Sequence, residues 1–349
     1  MKNKLMKTLS QIRPSNLFKP SFNDRDTIDF RRAAVGFEIY DSCANGDVIS
    51  NDHVELAFKE VKSWPEMLLR RHVHDCITAQ LEKMFNSLKS FNYNDKTGVN
   101  PTLPKDQQML DEDVILKEHL MKTVGYTLTV NKSSIYNGGN GLFINLKKGT
   151  MLPPGSVVAL IPGLVYLTEY TCKNNFELMR SLMPDPNFNL FVRSDKNLID
   201  SREANHVTIP RNPYAYGHMA NHPEKGGKSN LLSIAYDYQQ DIFGMDCFPQ
   251  ELRQYIPNSY AFPPTLMGLG TNDRSAFMHT MVYITTRTIG GEDTEVKIDK
   301  NSYSYNETFD SEISRHELKI NYRLDPGMKN DHPEWYSHIP EEDDVSIIV

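Results

Sequence analysis

The spacing of hydrophobic residues divides the chain into a helical part and a β-rich part. Between residues 24 and 122 apolar positions recur every three or four residues, which is the period of an amphipathic helix. A first apolar face consists of Val54, Ala57, Phe58 and Val61. A second follows Pro65, which suits the first turn of a helix, and consists of Leu69, Val73, Ile77, Leu81, Met84 and Phe85. The pattern predicts a helical N-terminal region over 24–122.

The helical period stops and later gives way to short β-type segments. Glycine and prolines predict a loop over Lys89–Gln108, and a last helix is predicted from about Asp111 to Lys122. The β-type segments that follow are Tyr126–Val130, Gly141–Leu146, Ser156–Ile161, Asn189–Val192, Leu231–Tyr236 and Phe277–Thr286. Because no regular helices separate them, we expect an α+β fold and no doubly wound sheet.

Composition and charge exclude several classes of protein. The 349 residues are 39% hydrophobic and 24% charged, which provides a core and excludes a disordered chain. The longest apolar run, Ser156–Leu167, is broken by Pro162 and falls short of the ~18 residues that span a bilayer, so we expect no membrane segment. The net charge of −7 argues against direct nucleic-acid binding.

The cysteines and the chain ends bear on the compartment. Four cysteines without a CxxC pair indicate thiols in a reducing, intracellular compartment, either nucleus or cytoplasm. Residues 1–23 carry five basic and no acidic side chains. They are interpreted as a solvated basic tail, with a mitochondrial presequence as the alternative. The acidic run Glu341–Asp344 is interpreted as a solvated end.

A histidine pair resembles a metal site at first sight but does not have the geometry of one. His72 and His74 stand two positions apart in a predicted helix, so their side chains project about 200° apart. The four cysteines are also too scattered for a local zinc cluster. We therefore predict that the protein needs no metal.

Three segments combine glycine, polar and aromatic residues in unusual density. The first is Gly139-Asn140-Gly141-Leu142-Phe143, which taken alone is either a turn exposed to a ligand or a structural turn. The second is the string His218-Met219-Ala220-Asn221-His222. The third is the string His316-Glu317-Leu318-Lys319-Ile320-Asn321-Tyr322, a predicted strand ending in Asn-Tyr.

Taken in order, these segments resemble the hallmark motifs of the SET-domain methyltransferases. The first resembles the family's GxG followed by two apolar residues. The second resembles its "(R)FINHSCxPN" string, with Asn230 as the last asparagine, and the third its "xELxxNY" string. Phe248–Asn258 and Asn321–Tyr336 resemble further segments of one divergent group in the family. The resemblance covers about Lys122 to Asp344.

The resemblance implies a SET domain of small β-sheets with a C-terminal pseudoknot. This domain would occupy 123–323, with an insertion at about 294–314 and a tail at 324–349 packed on it. The pseudoknot would bring Asn221-His222 beside Asn321-Tyr322, about 100 residues later.

The resemblance also implies an activity and a site. The activity is transfer of a methyl group from S-adenosyl-L-methionine to a lysine of a protein or peptide substrate. Tyr322 would be the catalytic residue. The residues implied to bind the cofactor are Gly139, Asn140, Gly141, Leu142, Asn221, His222 and Tyr322. Trp335 and Tyr336 would either line a lysine channel or pack the tail on the core.

Two departures from the family pattern bear on these expectations. The Ser-Cys that should follow Asn-His is replaced by Pro223–Gly227, which lengthens the string to Asn230. The predicted insertion contains Tyr303 and Tyr305, but its polar sequence lacks a Glu-Leu before either tyrosine, so neither is taken as catalytic. The longer string leaves an alternative open, a SET-type binding module without turnover.

Overall fold

The structure, a computed structural model, belongs to the α+β class that the sequence predicts. It describes residues 24–44, 51–91, 105–168, 190–202, 212–239, 248–261, 276–290 and 312–322. In these parts the helices come first and several small, mostly antiparallel sheets follow. The predictions for the two chain ends, for Trp335 and Tyr336, and for Tyr303 and Tyr305 fall outside the described residues.

Four helices build the N-terminal region within the described residues. They are α1 Asp24–Ala44, α2 Asn51–Lys62, α3 Glu66–Ser90 and α4 Lys105–Thr123. The predicted loop over Lys89–Gln108 is too long at both ends, because α3 continues to Ser90 and α4 already begins at Lys105. None of the described helices combines the length and the apolarity needed to cross a membrane.

The apolar faces of two helices follow the sequence pattern closely. The six apolar residues predicted on one side of α3 are all buried, although Pro65 caps this helix instead of lying in its first turn. In α2 Val54, Ala57 and Val61 are buried, but the prediction for Phe58 is wrong, since its side chain is 46% exposed. Phe58 stands at the edge of the apolar stripe, and the helix is covered only along the centre of that stripe.

Twelve strands follow within the described residues. They are β1 Tyr126–Lys132, β2 Asn140–Lys147, β3 Met151–Leu152, β4 Val157–Leu160, β5 Gly163–Tyr166, β6 Leu190–Val192, β7 Leu198–Asp200, β8 Leu231–Gln239, β9 Asn258–Tyr260, β10 Ala276–Thr285, β11 Ile289–Gly290 and β12 Ile313–Leu318. The sheet orders are β1–β2–β12, β4–β10–β8, β3–β11 and β6–β7–β5–β9. The pairing of β5 with β9 is parallel, and the other strand pairs are antiparallel.

The predicted β-type segments coincide with strands of the structure but miss several short ones. All six lie on β1, β2, β4, β6, β8 and β10. Strands of two residues, such as β3 and β11, are too short to show an alternating pattern. The insertion predicted at 294–314 lies almost entirely outside the described residues, and its last two positions fall on β12, which begins at Ile313.

The helical region and the sheets share one buried core. Gln80 of α3 connects the two directly. Its Nε2 donates to the carbonyl of Gly155 at 2.8 Å, and its Oε1 accepts from the backbone N–H of Val157 at 2.8 Å. Tyr126 of β1 adds a hydrogen bond to the carbonyl of Val157, at 2.8 Å. The helices therefore support the sheets that carry the three motif segments.

Candidate functional site

Residues that follow β12 cross two segments that lie about 90 to 100 positions earlier in the chain. Lys319 forms a parallel bridge with Asn221, and Ile320 forms one with Leu231. The backbone N–H of Ile320 donates to the carbonyl of Asn221 at 2.9 Å, and the N–H of Leu231 donates to the carbonyl of Lys319 at 3.1 Å. This crossing places the second and third motif segments side by side.

Asn230 stabilises the same crossing with its side chain. Its Nδ2 donates to the carbonyl of Glu317 at 2.9 Å, and its Oδ1 accepts from the N–H of Lys319 at 2.7 Å. The longer string between His222 and Asn230 contains a turn in which the N–H of Gly227 donates to the carbonyl of Glu224 at 2.8 Å. The added residues thus leave Asn230 in contact with the third motif segment.

The side chain of Asn221 joins the crossing to the first motif segment. Its Nδ2 donates to the carbonyls of Gly138 and Asn140, at 3.2 and 3.0 Å. Two carbonyl partners fix the orientation of the amide, because only its NH₂ group can donate to them. No described residue donates a hydrogen bond to Asn221 Oδ1. That oxygen is therefore available to a ligand donor such as an ammonium group.

His222 and Tyr322 contact each other across the crossing. The backbone N–H of Tyr322 donates to His222 Nδ1 at 3.2 Å, and the two ring centroids lie 5.5 Å apart. Because this Nδ1 accepts a hydrogen bond, the proton of the neutral imidazole lies on Nε2. The ring of His222 is buried, and its Nδ1 holds the backbone of Tyr322 in place.

The phenol of Tyr322 has a defined orientation. Its O–H donates to the carbonyl of Ala220 at 3.0 Å. Burial raises the pKa of Tyr322, and a hydrogen bond with the backbone of His222 opposes this rise. The group is therefore a neutral phenol whose proton points to Ala220, so the oxygen lone pairs face away from that carbonyl. The side chain of Tyr322 is 39% exposed, so a ligand can reach it.

The two glycines of the first motif segment are required for different reasons. Gly139 lies at φ +62°, a left-handed conformation in which other residues are strained, and a Cβ there would meet nothing within 4 Å. Gly141 is buried, and a Cβ there would lie 2.5 Å from Glu317 Oε1 and 3.1 Å from Asn221 Nδ2. The space beside Gly141 is thus occupied by protein side chains, whereas Gly139 and Asn140 are exposed.

Leu142 takes a place in the core. Its side chain is fully buried in β2, and it pairs with Val130 of β1 and Leu318 of β12. The structure therefore brings together six of the seven predicted residues: Gly139, Asn140, Gly141, Asn221, His222 and Tyr322. The side chain of Leu142 lies in the core instead. Cofactor binding by Leu142 stays a prediction, limited to its backbone.

Sequence reasoning gave no role to several residues at this site. Glu317 contacts Ser133 and Ser134, which precede the first motif segment by 5 to 6 residues. Tyr283 of β10 is buried; burial raises its pKa, and the nearby Tyr322 raises it further. Contacts between residues so distant in sequence depend on strand register, and no local pattern in the chain reveals them.

His218 lies next to the site with an unsatisfied ring nitrogen. It occupies the 3₁₀ turn Gly217–Met219, two residues before Ala220. Its Nδ1 is buried and has no hydrogen-bond partner among the described residues. Burial lowers its pKa from 6.5 to about 4. At neutral pH the ring of His218, the first residue of the second motif segment, is therefore uncharged.

The histidine pair of α3 has no shared ligand geometry. His72 Nε2 lies 3.4 Å from Glu38 Oε1, and its ring packs on Trp64. His74 Nε2 lies 2.9 Å from the carbonyl of Asp237, and its ring stacks on Tyr236. The two rings contact different elements, as expected from their spacing on a helix.

Within the described residues, Asp195, Asp237 and His279 form a group with metal-ligand composition. The buried Arg193 contacts both carboxylates, with Nη2 2.7 Å from Asp195 Oδ2, and His279 Nδ1 lies 2.7 Å from Asp237 Oδ1. Burial acts to raise the pKa of Asp237, but its hydrogen bond with His279 and the charge of Arg193 outweigh burial and lower it to about 2. Arg193, Asp195, Asp237 and His279 thus form one network of hydrogen bonds and ion pairs. Independence from metals remains a prediction.

No protein-family model and no curated protein matches this chain. Inferences about function therefore depend on the geometry above together with the motif resemblance.

Proposed function

We propose that the protein is a SET-domain methyltransferase that transfers a methyl group from S-adenosyl-L-methionine to a lysine of a protein or peptide. Within that family, the motifs are most similar to the group of SET domain-containing protein 9. The observation that carries the proposal is the convergence of three distant motif segments at one point. Asn221 contacts the glycine turn, and Tyr322 contacts both Ala220 and His222. Such convergence is what the motif resemblance implies.

The polar groups at this point fit a ligand that carries an ammonium group. Asn221 Oδ1 is an acceptor whose orientation is fixed by the two hydrogen bonds of its amide nitrogen. Gly139 and Asn140 are exposed beside it. The amino-acid end of S-adenosylmethionine carries such an ammonium group, and we propose that Asn221 and the glycine turn bind this end. When bound, the cofactor supplies an activated methyl group on a sulfonium.

The protein's own contribution is to orient the acceptor amine and to favour its neutral form. A lysine has a pKa near 10.4, so presenting its neutral amine costs roughly 4–5 kcal/mol at neutral pH. Partial burial lowers this cost by disfavouring the ammonium. The hydroxyl of Tyr322 donates to the carbonyl of Ala220, and we propose that its oxygen accepts a hydrogen bond from the incoming amine. We propose that this hydrogen bond is strongest in the transition state, because only such an interaction accelerates the methyl transfer.

The direct test is incorporation of labelled methyl groups into peptides. The full-length protein would be incubated with methyl-labelled S-adenosylmethionine and an array of lysine-containing peptides, with copies in which each lysine is replaced by arginine. We expect label on some lysine peptides and none on their arginine copies. Label that persists on the arginine copies would contradict lysine as the acceptor. Absence of label from the whole array, together with cofactor binding, would favour the inactive binding module.

The alternative of an inactive binding module receives no support from the lengthened string. If residues 223–227 had displaced Asn230, the second and third motif segments would have separated. Instead Asn230 bonds to Glu317 and Lys319, and Tyr322 keeps its contact with His222. We therefore favour the enzyme. An intracellular location is part of this proposal and depends on the absence of a CxxC pair among the four cysteines.

A further inference from the structure

A buried carboxylate lies directly beneath the candidate cofactor turn. Glu317 of β12 is 5% exposed. Its Oε1 accepts from the hydroxyl of Ser133, and its Oε2 accepts from the hydroxyl of Ser134 and from the backbone N–H of Ser134, the last at 3.1 Å. No described residue places a cation within ion-pair distance of Glu317, so its side chain is held in the turn by these hydrogen bonds.

The register of β12 on β2 explains how the carboxylate of Glu317 reaches Ser133 and Ser134. Glu317 is paired with Phe143 of β2, and Gly141 lies two positions away on the same face of the sheet. Because Gly141 has no side chain, Glu317 Oε1 can occupy a point 2.5 Å from where a Cβ would stand. The carboxylate passes through this gap to the residues that begin the turn.

The turn is therefore fixed from two sides. Glu317 bonds to Ser133 and Ser134 at its start, while Asn221 bonds to the carbonyls of Gly138 and Asn140 at its end. Between these anchors the N–H of Ser133 donates to the carbonyl of Gly139 at 2.9 Å. The exposed backbone at Gly139 and Asn140 depends on both anchors for its shape.

We infer that Glu317 is a positioning residue: its contact with Ser133 and Ser134 sets the shape of the 133–141 turn and thereby the affinity for S-adenosylmethionine. This inference rests on the proposed function. Glu317 acts through the turn and does not contact the cofactor. Its loss should raise the dissociation constant and leave turnover at saturating cofactor close to the wild-type value.

The test compares three variants of the full-length protein with the wild type. Glu317→Ala removes the carboxylate, Glu317→Gln keeps its shape without its charge, and the pair Ser133→Ala with Ser134→Ala removes its hydroxyl partners. Glu312→Ala removes an exposed glutamate just before β12 and is the matched control. The probes are titration calorimetry with S-adenosylhomocysteine and hydrogen exchange of the free protein.

We expect Glu317→Ala to raise the dissociation constant at least about 10-fold, Glu317→Gln to raise it less, and the serine pair to raise it about as much as Glu317→Ala, because both remove the same contact. Glu312→Ala should bind like the wild type. In the free protein, amides of residues 133–139 should exchange faster in Glu317→Ala, while those of β8 and β10 keep their protection.

Two results would overturn the inference. One is a wild-type dissociation constant in a folded Glu317→Ala variant. The other is loss of protection throughout β8 and β10, which would show a general structural role. A wild-type protein that binds no ligand would instead contradict the proposed function, and the exchange pattern would still decide whether Glu317 fixes the turn.

Discussion

At the scale of single residues, the account depends on how Tyr322 is oriented. Its hydroxyl donates a hydrogen bond to the carbonyl of Ala220, and its backbone N–H donates one to His222 Nδ1. An ordinary buried tyrosine at a strand end would use its hydroxyl only to satisfy a neighbour. In the proposed mechanism, the hydroxyl of Tyr322 also accepts a hydrogen bond from the substrate amine.

Removing the hydroxyl of Tyr322 distinguishes a catalytic role from a purely structural one. Tyr322→Phe should lose the hydrogen bond to Ala220, which costs about 1 kcal/mol of stability, and should lower turnover at least about 10²-fold, worth about 2.7 kcal/mol of barrier. Tyr136→Phe is the control, because Tyr136 is 88% exposed. Methyl-transfer rates at saturating cofactor, together with melting temperatures, give the comparison. Unchanged turnover in Tyr322→Phe would contradict a catalytic role.

The lowered pKa of His218 predicts how the stability of the protein depends on pH. Its pKa falls from 6.5 to about 4 on folding, so between these values the unfolded chain binds a proton that the folded chain does not. Stability should therefore decrease as the pH falls through this window, by ~2 kcal/mol at about pH 5 from this group. Denaturant unfolding at neutral pH and at about pH 5 should show a smaller decrease for His218→Gln than for the wild type. Equal decreases would contradict the assignment.

The sequence allowed some site residues to be predicted and not others. Asn221, His222 and Tyr322 stand in short strings whose order resembles a known family, so they could be identified without coordinates. Glu317 and Ser133 are 184 positions apart, and their contact depends on the register of β12 on β2. A shift of that register by one residue would turn Glu317 to the other face of the sheet.

At the scale of elements, β2 is the strand that positions the site. It pairs with β1 on one side and β12 on the other, and it begins in the glycine turn. The longer strands were predictable because they carry enough apolar residues to show a pattern. The crossing of residues 319–322 over two earlier segments was predictable only from the motif resemblance, since backbone bridges between single residues have no sequence period.

The gap at Gly141 gives a prediction for this strand. Gly141→Ala should destabilise the protein by ~1–3 kcal/mol, because the new Cβ meets Glu317 Oε1. In the Glu317→Ala background that atom is gone, so the cost of Gly141→Ala should shrink. Gly149→Ala, where a Cβ meets nothing within 4 Å, should cost the same in both backgrounds. Denaturant unfolding of the double-mutant cycle measures the coupling, and additive costs for Gly141→Ala and Glu317→Ala would contradict the contact.

At the scale of the whole molecule, the helical region is part of the same folded unit as the sheets. The buried residues of α1, α2 and α3 continue into those of the sheets without a break. We therefore expect a chain that starts near Asp111 to lose its solubility, since it would expose the inner faces of those sheets. The helical period was predictable, but the surface that the helices cover was not, because sequence patterns do not show which elements pack together.

Gln80 offers a point test of this packing. Gln80→Leu leaves the carbonyl of Gly155 and the N–H of Val157 without their partner, which should cost ~2–4 kcal/mol. Gln254→Leu is the control, since its hydrogen bond to the carbonyl of Glu251 is exposed. Urea unfolding should place the midpoint of Gln80→Leu well below both the wild type and the control. Equal midpoints would show that the helices contribute little to the sheets.

The most direct test of the central claim is calorimetric titration of the full-length protein with S-adenosylhomocysteine, combined with thermal unfolding. We predict saturable binding to one site, and stabilisation of about 2.7 kcal/mol when the ligand is at about 100 times its dissociation constant. Asn221→Ala should weaken this binding, because it removes both the free Oδ1 and the anchor of the glycine turn. Neither heat nor stabilisation in the wild type at about millimolar ligand would contradict the proposed function.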